Sequence, residues 1–200
     1  MEAVRIAEGL WRWTAPHPNW ENWPGREHEP REVGCVYYGS DDATVLVDPL
    51  VPAGEEGEFF RHLDADVERR GLPVVILLTA EWHRRSADEL AGRYDARIGG
   101  APPEGMEEVP IEGADERQVA YFIRPHAALV VAEIFSVDIH GELRVGQSPA
   151  LARPDELEAS LDRIMELPIE RLLVSHGEPV LEQAKPRMTE ALARRQRALL

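Results

Sequence analysis

Apolar positions along this chain alternate between two periods, one suited to strands and one to helices. Residues 3–13 carry short apolar stretches that predict one or two strands around Glu8-Gly9. Strand-like runs follow at Val33–Tyr38 and Thr44–Val47, separated by the turn sequence Gly39-Ser40-Asp41-Asp42 and closed by Asp48-Pro49. From Glu55 to Arg70 the period becomes helical. Phe59, Phe60, Leu63 and Val67 share a face, Arg69 and Arg70 suit the negative end of the helix dipole, and Gly71 supplies the stop. Val74–Leu78 is an unbroken apolar run rich in β-branched residues, as expected of a strand covered on both faces. Ser86-Ala87-Asp88-Glu89 has capping-box spacing and predicts a helix from Ser86 to about Gly92. Thr79–Arg85 is then a loop at the carboxyl end of a buried strand, where α/β folds place their chemistry.

The second half repeats the alternation. Short strands are expected within 96–111, interrupted by Pro102-Pro103, and a hairpin joins Val119–Ile123 to Ala128–Val131. Pro154–Leu167 reads as a helix with Leu157, Leu161, Ile164 and Met165 on one face. Leu172–Val174 is a short buried strand, and His176-Gly177-Glu178-Pro179 a turn. A last helix spans about Leu181 to Arg197, with Pro186 kinking it or marking its true start. One segment fits neither period. The stretch 13–25 holds three prolines and three tryptophans, so a loop is expected over about 13–30, and loops of that length usually cover something.

Composition narrows the classes. At 200 residues the chain suits a single domain, 1–200. A net charge of -15 argues against nucleic acid or anionic membrane as partners. The sole cysteine, Cys35, lies in an alternating strand and reads as a small buried hydrophobe. The first residues lack the apolar stretch of a signal peptide, and no apolar run reaches the length of a membrane span, so a cytoplasmic location is the expectation.

The order of these signals resembles the metallo-β-lactamase superfamily. Ala43-Thr44-Val45-Leu46-Val47-Asp48-Pro49-Leu50 is similar to the strand ending in Asp before that family's first long helix. Val74–Thr79 resembles the strand and Thr that lead into its His-rich loop, and Arg171–Val180 resembles the late strand ending in Gly-His-Gly-x-Pro. A weaker match, Ala128–Phe135, sits where the family has a strand ending in Gly-Asp. The resemblance spans roughly residues 33–180. It implies an α/β fold: a four-layer αβ/βα sandwich of two mixed β-sheets flanked by helices.

It also implies a dinuclear zinc centre, and here the sequence departs. Where the family has His-x-His-x-Asp-His, this chain has Ala80, Glu81, Trp82, His83, Arg84 and Arg85, with His83 one position out of register. Ala114 stands for the family's next histidine, Glu133 for its bridging aspartate, and only His176 is retained. Ala and Trp do not ligate zinc, and arginines repel it.

Several readings stay open. Asp48 orients the site or simply ends a strand. His83 is a ligand, a base or a surface residue, and Glu133 and His176 join it in a single-metal hydrolytic site or only brace the loops. Arg84 and Arg85 hold a small anionic ligand, or pair with Glu133 or Asp48. His17, Trp20, Trp23 and His28 line an aromatic pocket over the site mouth, with His17 a further candidate ligand, or the tryptophans pack the loop or cover a homodimer interface. Glu81 is a candidate carboxylate catalyst or a solvated loop residue.

The leading expectation is a protein without the standard dinuclear centre and without a cofactor, binding a small anionic molecule between Arg84/Arg85 and the Trp-rich loop. The alternatives are a hydrolase with a remodelled single zinc or other divalent metal on His83, Glu133 and His176, and a structural or oligomerisation role. Gly146–Ala150 lacks the pattern of a nucleophile elbow, and there is no phosphate-binding or dinucleotide glycine motif.

Overall fold

In the computed structural model, which describes residues 3–22, 28–114, 117–146 and 153–198, the strand and helix periods separate into layers. In chain order the elements are β1 (Ala3–Ala7), β2 (Leu10–Pro16), β3 (Glu32–Gly39), β4 (Thr44–Val47), α1 (Glu56–Arg70), β5 (Val74–Leu77), α2 (Ala87–Tyr94) and β6 (Arg97–Ile98). The second half contributes β7 (Met106–Ile111), β8 (Gln118–Ile123), β9 (Ala128–Val131), β10 (Phe135–Val137), β11 (Leu143–Val145), α3 (Pro154–Glu166), β12 (Arg171–Val174) and α4 (Ala184–Ala198). A six-stranded sheet runs β1-β2-β3-β4-β5-β6 and a four-stranded one β12-β9-β8-β7, with β10 and β11 paired beside them. Both large sheets are mixed: β4, β5 and β6 are parallel, as are β12 and β9, and the remaining pairs are antiparallel.

Strand parity builds the layers. Val45, Val47, Val75 and Leu77 point inward and meet Tyr121, Ile123, Val130 and Leu173 of the second sheet. Their neighbours Leu46, Val74 and Ile76 point outward onto Phe59, Leu63, Ala87 and Leu90 of α1 and α2. On the far side Leu129, Val131 and Leu172 meet Leu157, Leu161, Ile164 and Met188 of α3 and α4. The expected four layers, helices–sheet–sheet–helices, are therefore present, and the unbroken apolar runs are strands with a layer on each face. Cys35 is fully buried in the outer cluster, as its alternating context predicts. No described helix is long and apolar enough to cross a membrane.

Three local expectations are corrected. Trp13–Pro16 is strand, paired with Val33, Gly34, Cys35 and Glu32 of β3, so the irregular segment starts at His17. Packing overrides the proline-rich sequence there: Trp13 stacks on Phe59 and its Nε1–H donates to the Leu50 carbonyl at 2.9 Å. Ser86 does precede α2, but its hydroxyl makes no cap; it accepts from the Val51 N–H at 3.0 Å, tying α2 to the chain after β4. The last helix begins at Ala184, which places Pro186 in its first turn, where no intrahelical N–H is lost.

Candidate functional site

The ends of β4, β5, β9 and β12 gather the chemistry-bearing side chains. Asp48 terminates β4 in a left-handed backbone conformation, φ 49°. Its carboxylate accepts the backbone N–H of Thr79 at 2.8 Å and also the Thr79 hydroxyl hydrogen. His83, two per cent exposed, sits in a short 3-10 turn directly after β5. Its Nδ1 lies 2.9 Å from Asp48 Oδ2 and 3.1 Å from Thr79 Oγ1. The Thr79 hydrogen is already given to Asp48, so both neighbours accept, and His83 Nδ1 carries the hydrogen.

The ring's other nitrogen faces Glu133, from the turn after β9: His83 Nε2 is 3.5 Å from Glu133 Oε1. His176, in the turn after β12 and one per cent exposed, places its Nε2 3.3 Å from the same oxygen. Its Nδ1 is 3.6 Å from Oε2 of Glu29. Acids and imidazoles thus alternate as Asp48, His83, Glu133, His176, Glu29. Glu133 Oε1 is sealed from solvent and has no hydrogen-bond partner among the described residues; the two imidazole nitrogens stand at 3.3 and 3.5 Å.

The charges hold one another. Burial opposes charging of His83, but Asp48 at 2.9 Å and the Glu133 carboxylate outweigh it, and the net shift is upward from 6.5. Burial likewise pushes Glu133 up, and His176 and His83 overcome that, leaving it well below 4.5. These directions fix a pH window. Glu133, depressed on folding, stabilises the fold above about 4.5 and ceases to as pH falls further. His83, raised on folding, stabilises fully below about 6.5 and less as pH climbs past it. With metal chelated, urea unfolding should therefore show its highest midpoint between about pH 5 and 6.5, declining on both sides. A midpoint flat from pH 4 to 9 would contradict this pairing.

Four of the residues singled out in the sequence, Asp48, His83, Glu133 and His176, meet here. His83 reaches the site although out of register, because the 3-10 turn swings it back under β5. Arg85, also at positive φ (35°), spans the halves: Nη1 donates to the Asp48 carbonyl at 3.2 Å and Nη2 to Ser175 Oγ at 3.1 Å. Arg84 is a correction. It is exposed and bound bidentately by Asp88 (2.7 and 2.5 Å), one helical turn on, rather than by Glu133 or Asp48. It faces a separate cleft of about 490 Å³ lined also by Thr79, Glu81, Glu108, Arg117 and Tyr121. Glu81, exposed, belongs to that cleft as well.

The His17 ring lies 6.4 Å from that of His176, with Trp20 6.5 Å from His17, so the early loop does approach the site. His17 Nδ1 accepts the Asn19 N–H at 3.2 Å. His28 is exposed and contributes its carbonyl, which accepts the Ile139 N–H at 3.0 Å. Trp23 lies outside the described residues. Trp82 rests edge-on against His83, 5.8 Å between centroids. Glu29 was not foreseen. Its only sequence signal is a pair of donor-type residues, His28-Glu29, just before β3; the bridge between Val33 and His176 brings it in.

Glu29, Glu133 and His176 offer ligand atoms that all lie within 4.8 Å of one another. Two ligands of one first-row ion stand at most about 4.2 Å apart, so a few tenths of an ångström of side-chain movement would close the set. One divalent ion fits these donors. Among the described residues no second group of three donors lies as close together.

No family model matches the sequence. No curated protein matches it either. Solved structures do. A metallo-β-lactamase from Pontibacter korlensis aligns at 15% identity over 96% of this chain and 98% of its own, with a TM-score of 0.57. A metallo-β-lactamase superfamily protein from the archaeon Sulfolobus tokodaii aligns at 17% identity over 93% and 85%, TM-score 0.64. The metal-soaked flavodiiron core from Synechocystis sp. aligns at 12% identity over 96% and 60%, TM-score 0.60. At these identities the likeness establishes the fold and leaves the chemistry to the residues.

Proposed function

We propose that this chain, with its metallo-β-lactamase fold, is a hydrolase built on one divalent metal held by Glu29, Glu133 and His176. The observation that carries the reading is the convergence of three donor atoms within 4.8 Å, around a buried carboxylate oxygen that lacks a good hydrogen bond. Charge balance supports one ion rather than two. Asp48, Glu133 and Glu29 contribute three negative charges; the Arg85 guanidinium, the His83 imidazolium and one divalent ion already contribute four positive ones. A second ion would leave a large positive excess in a largely dry site.

Bound there, a divalent ion would supply a Lewis acid and lower the pKa of a coordinated water. The chain supplies the rest. Asp48 and Thr79 fix the orientation of His83, and Arg85 ties the Asp48 turn to the Ser175–His176 turn. The cleft of about 490 Å³ shares only Thr79 with these groups, and its guanidinium, carboxylate and phenol lining suits a polar molecule of modest size.

The test begins with purified protein dialysed against chelator, then titrated with Mn²⁺, Zn²⁺ and Fe²⁺. One equivalent of ion bound, together with hydrolysis of an ester, thioester, lactam or phosphodiester that chelator abolishes, is the expected result. Failure to bind any of the three ions sinks the proposal. Binding without hydrolysis across the panel reduces it to a metal-binding module.

A further inference from the structure

Arg12 stands where strand parity calls for an aliphatic residue. Leu10 lies on the same face of β2, Val4 and Val36 are its partners on β1 and β3, and Leu10 and Val36 belong to the inner core. Arg12 is only six per cent exposed, and its Nε is sealed from solvent with no hydrogen-bond partner among the described residues. Burying a guanidinium is costly, and an aliphatic side chain would fill the space without that cost. The bond that Arg12 does make runs to the site: Nη2 donates to the Gly177 carbonyl at 2.6 Å. Gly34 leaves the passage for it, since a Cβ there would stand 2.7 Å from Nη2 and 2.8 Å from Nε.

The Gly177 carbonyl is the third in a row to be held. The Ser175 carbonyl accepts from the Gly34 N–H at 2.7 Å and the His176 carbonyl from the Val137 N–H at 2.9 Å. β3 and β10 thus hold the turn through backbone groups, and β2 holds it through a side chain. The peptide planes on either side of His176 set where its ring points. Its Nε2 stands 3.3 Å from Glu133 Oε1 and its Nδ1 3.6 Å from Glu29 Oε2. We infer that Arg12 is a positioning residue for the metal site: from β2 it fixes the Gly177 carbonyl, and with it the angle at which the turn presents His176 to the two carboxylates. The inference rests on the single-metal reading above. It involves no change of protonation, because arginine stays charged in proteins.

The test compares Arg12→Met, which fills the space without a donor, with Arg12→Lys, which keeps a charged donor on the same strand. Leu63→Ala, in the outer cluster, is the control for lost stability alone. Circular dichroism and urea unfolding follow the fold. The electron paramagnetic resonance signal of free Mn²⁺ gives the affinity, and the absorption bands of bound Co²⁺ report the arrangement of its ligands. Arg12→Met should bind Mn²⁺ about tenfold more weakly than wild type, the low end of what losing a group that orients a ligand costs, and its Co²⁺ bands should shift. Arg12→Lys should recover wild-type bands and an affinity within about threefold. Leu63→Ala should unfold at lower urea with Mn²⁺ affinity unchanged. Arg12→Gln, polar but too short to reach Gly177, repeats the comparison if Arg12→Met does not fold. Wild-type affinity in Arg12→Met, equal losses in Arg12→Met and Arg12→Lys, or an equal loss in Leu63→Ala removes this inference and leaves the metal site standing. A wild-type chain that binds no Mn²⁺ removes the metal reading and this inference with it.

Discussion

Glu133→Gln should weaken Mn²⁺ and Zn²⁺ binding at least 100-fold, equivalent to about 2.7 kcal/mol or more. The exchange keeps shape and removes one charge. Glu133 is the group on which the site turns, since Oε1 faces His83 Nε2 at 3.5 Å and His176 Nε2 at 3.3 Å, and the same side chain belongs to the donor set. A neutral amide is a poor ligand for a first-row ion. It also leaves the His83 imidazolium balanced by Asp48 alone. Removing one member of a buried charge cluster typically costs about 3–5 kcal/mol, with an isosteric amide toward the lower end. The chelated variant should therefore unfold at lower urea than wild type at pH 6, and its acid-side decline should be shallower, because the depressed carboxylate that produced it is gone. Titration calorimetry and urea unfolding read both effects. Affinity within threefold of wild type would place the metal elsewhere.

Gly177→Ala should destabilise the fold by about 3–5 kcal/mol, much more than the same change at Gly54. Both glycines have positive φ, 88° and 83°, so both substitutions carry the left-handed penalty of about 1–2 kcal/mol. They differ in what a methyl group would meet. At Gly54 nothing lies within 4 Å, whereas at Gly177 it would strike the Val137 carbonyl oxygen and come within 2.7 Å of the Val137 carbonyl carbon and Cβ. The turn has little room to move. The His176 carbonyl accepts the Val137 N–H at 2.9 Å, and the Gly177 carbonyl accepts from the buried Arg12 guanidinium at 2.6 Å. Any relief must shift His176, so metal affinity should fall together with the unfolding midpoint. Equal stability losses at Gly177 and Gly54 would show that the turn can relax away from β10.

Periodicity along the sequence located most of the strands and helices of this protein, and the family resemblance implied their four-layer order. A run such as Val74–Leu77, apolar at every position and β-branched at three, suits a short strand covered on both sides, and the one-sided periods around Phe59 and Leu157 suit helices lying on such a sheet. Burial is a property of one residue's chemistry summed along a period, so it is legible locally. The site was legible in part: Asp48 and His176 because they follow buried strands, and Glu133 through the weaker resemblance of its strand. What only the tertiary structure decided were the pairings. Register along the chain left His83 open as a ligand, a base or a surface residue; a 3-10 turn brings it onto Asp48 and Glu133. Arg84, adjacent in sequence, turns out to Asp88 and a separate cleft. Glu29 enters from before β3 because Val33 bridges to His176, 143 residues away in sequence. Donor sets and ion pairs depend on side-chain directions a few ångströms apart across the fold, and no local period carries that information.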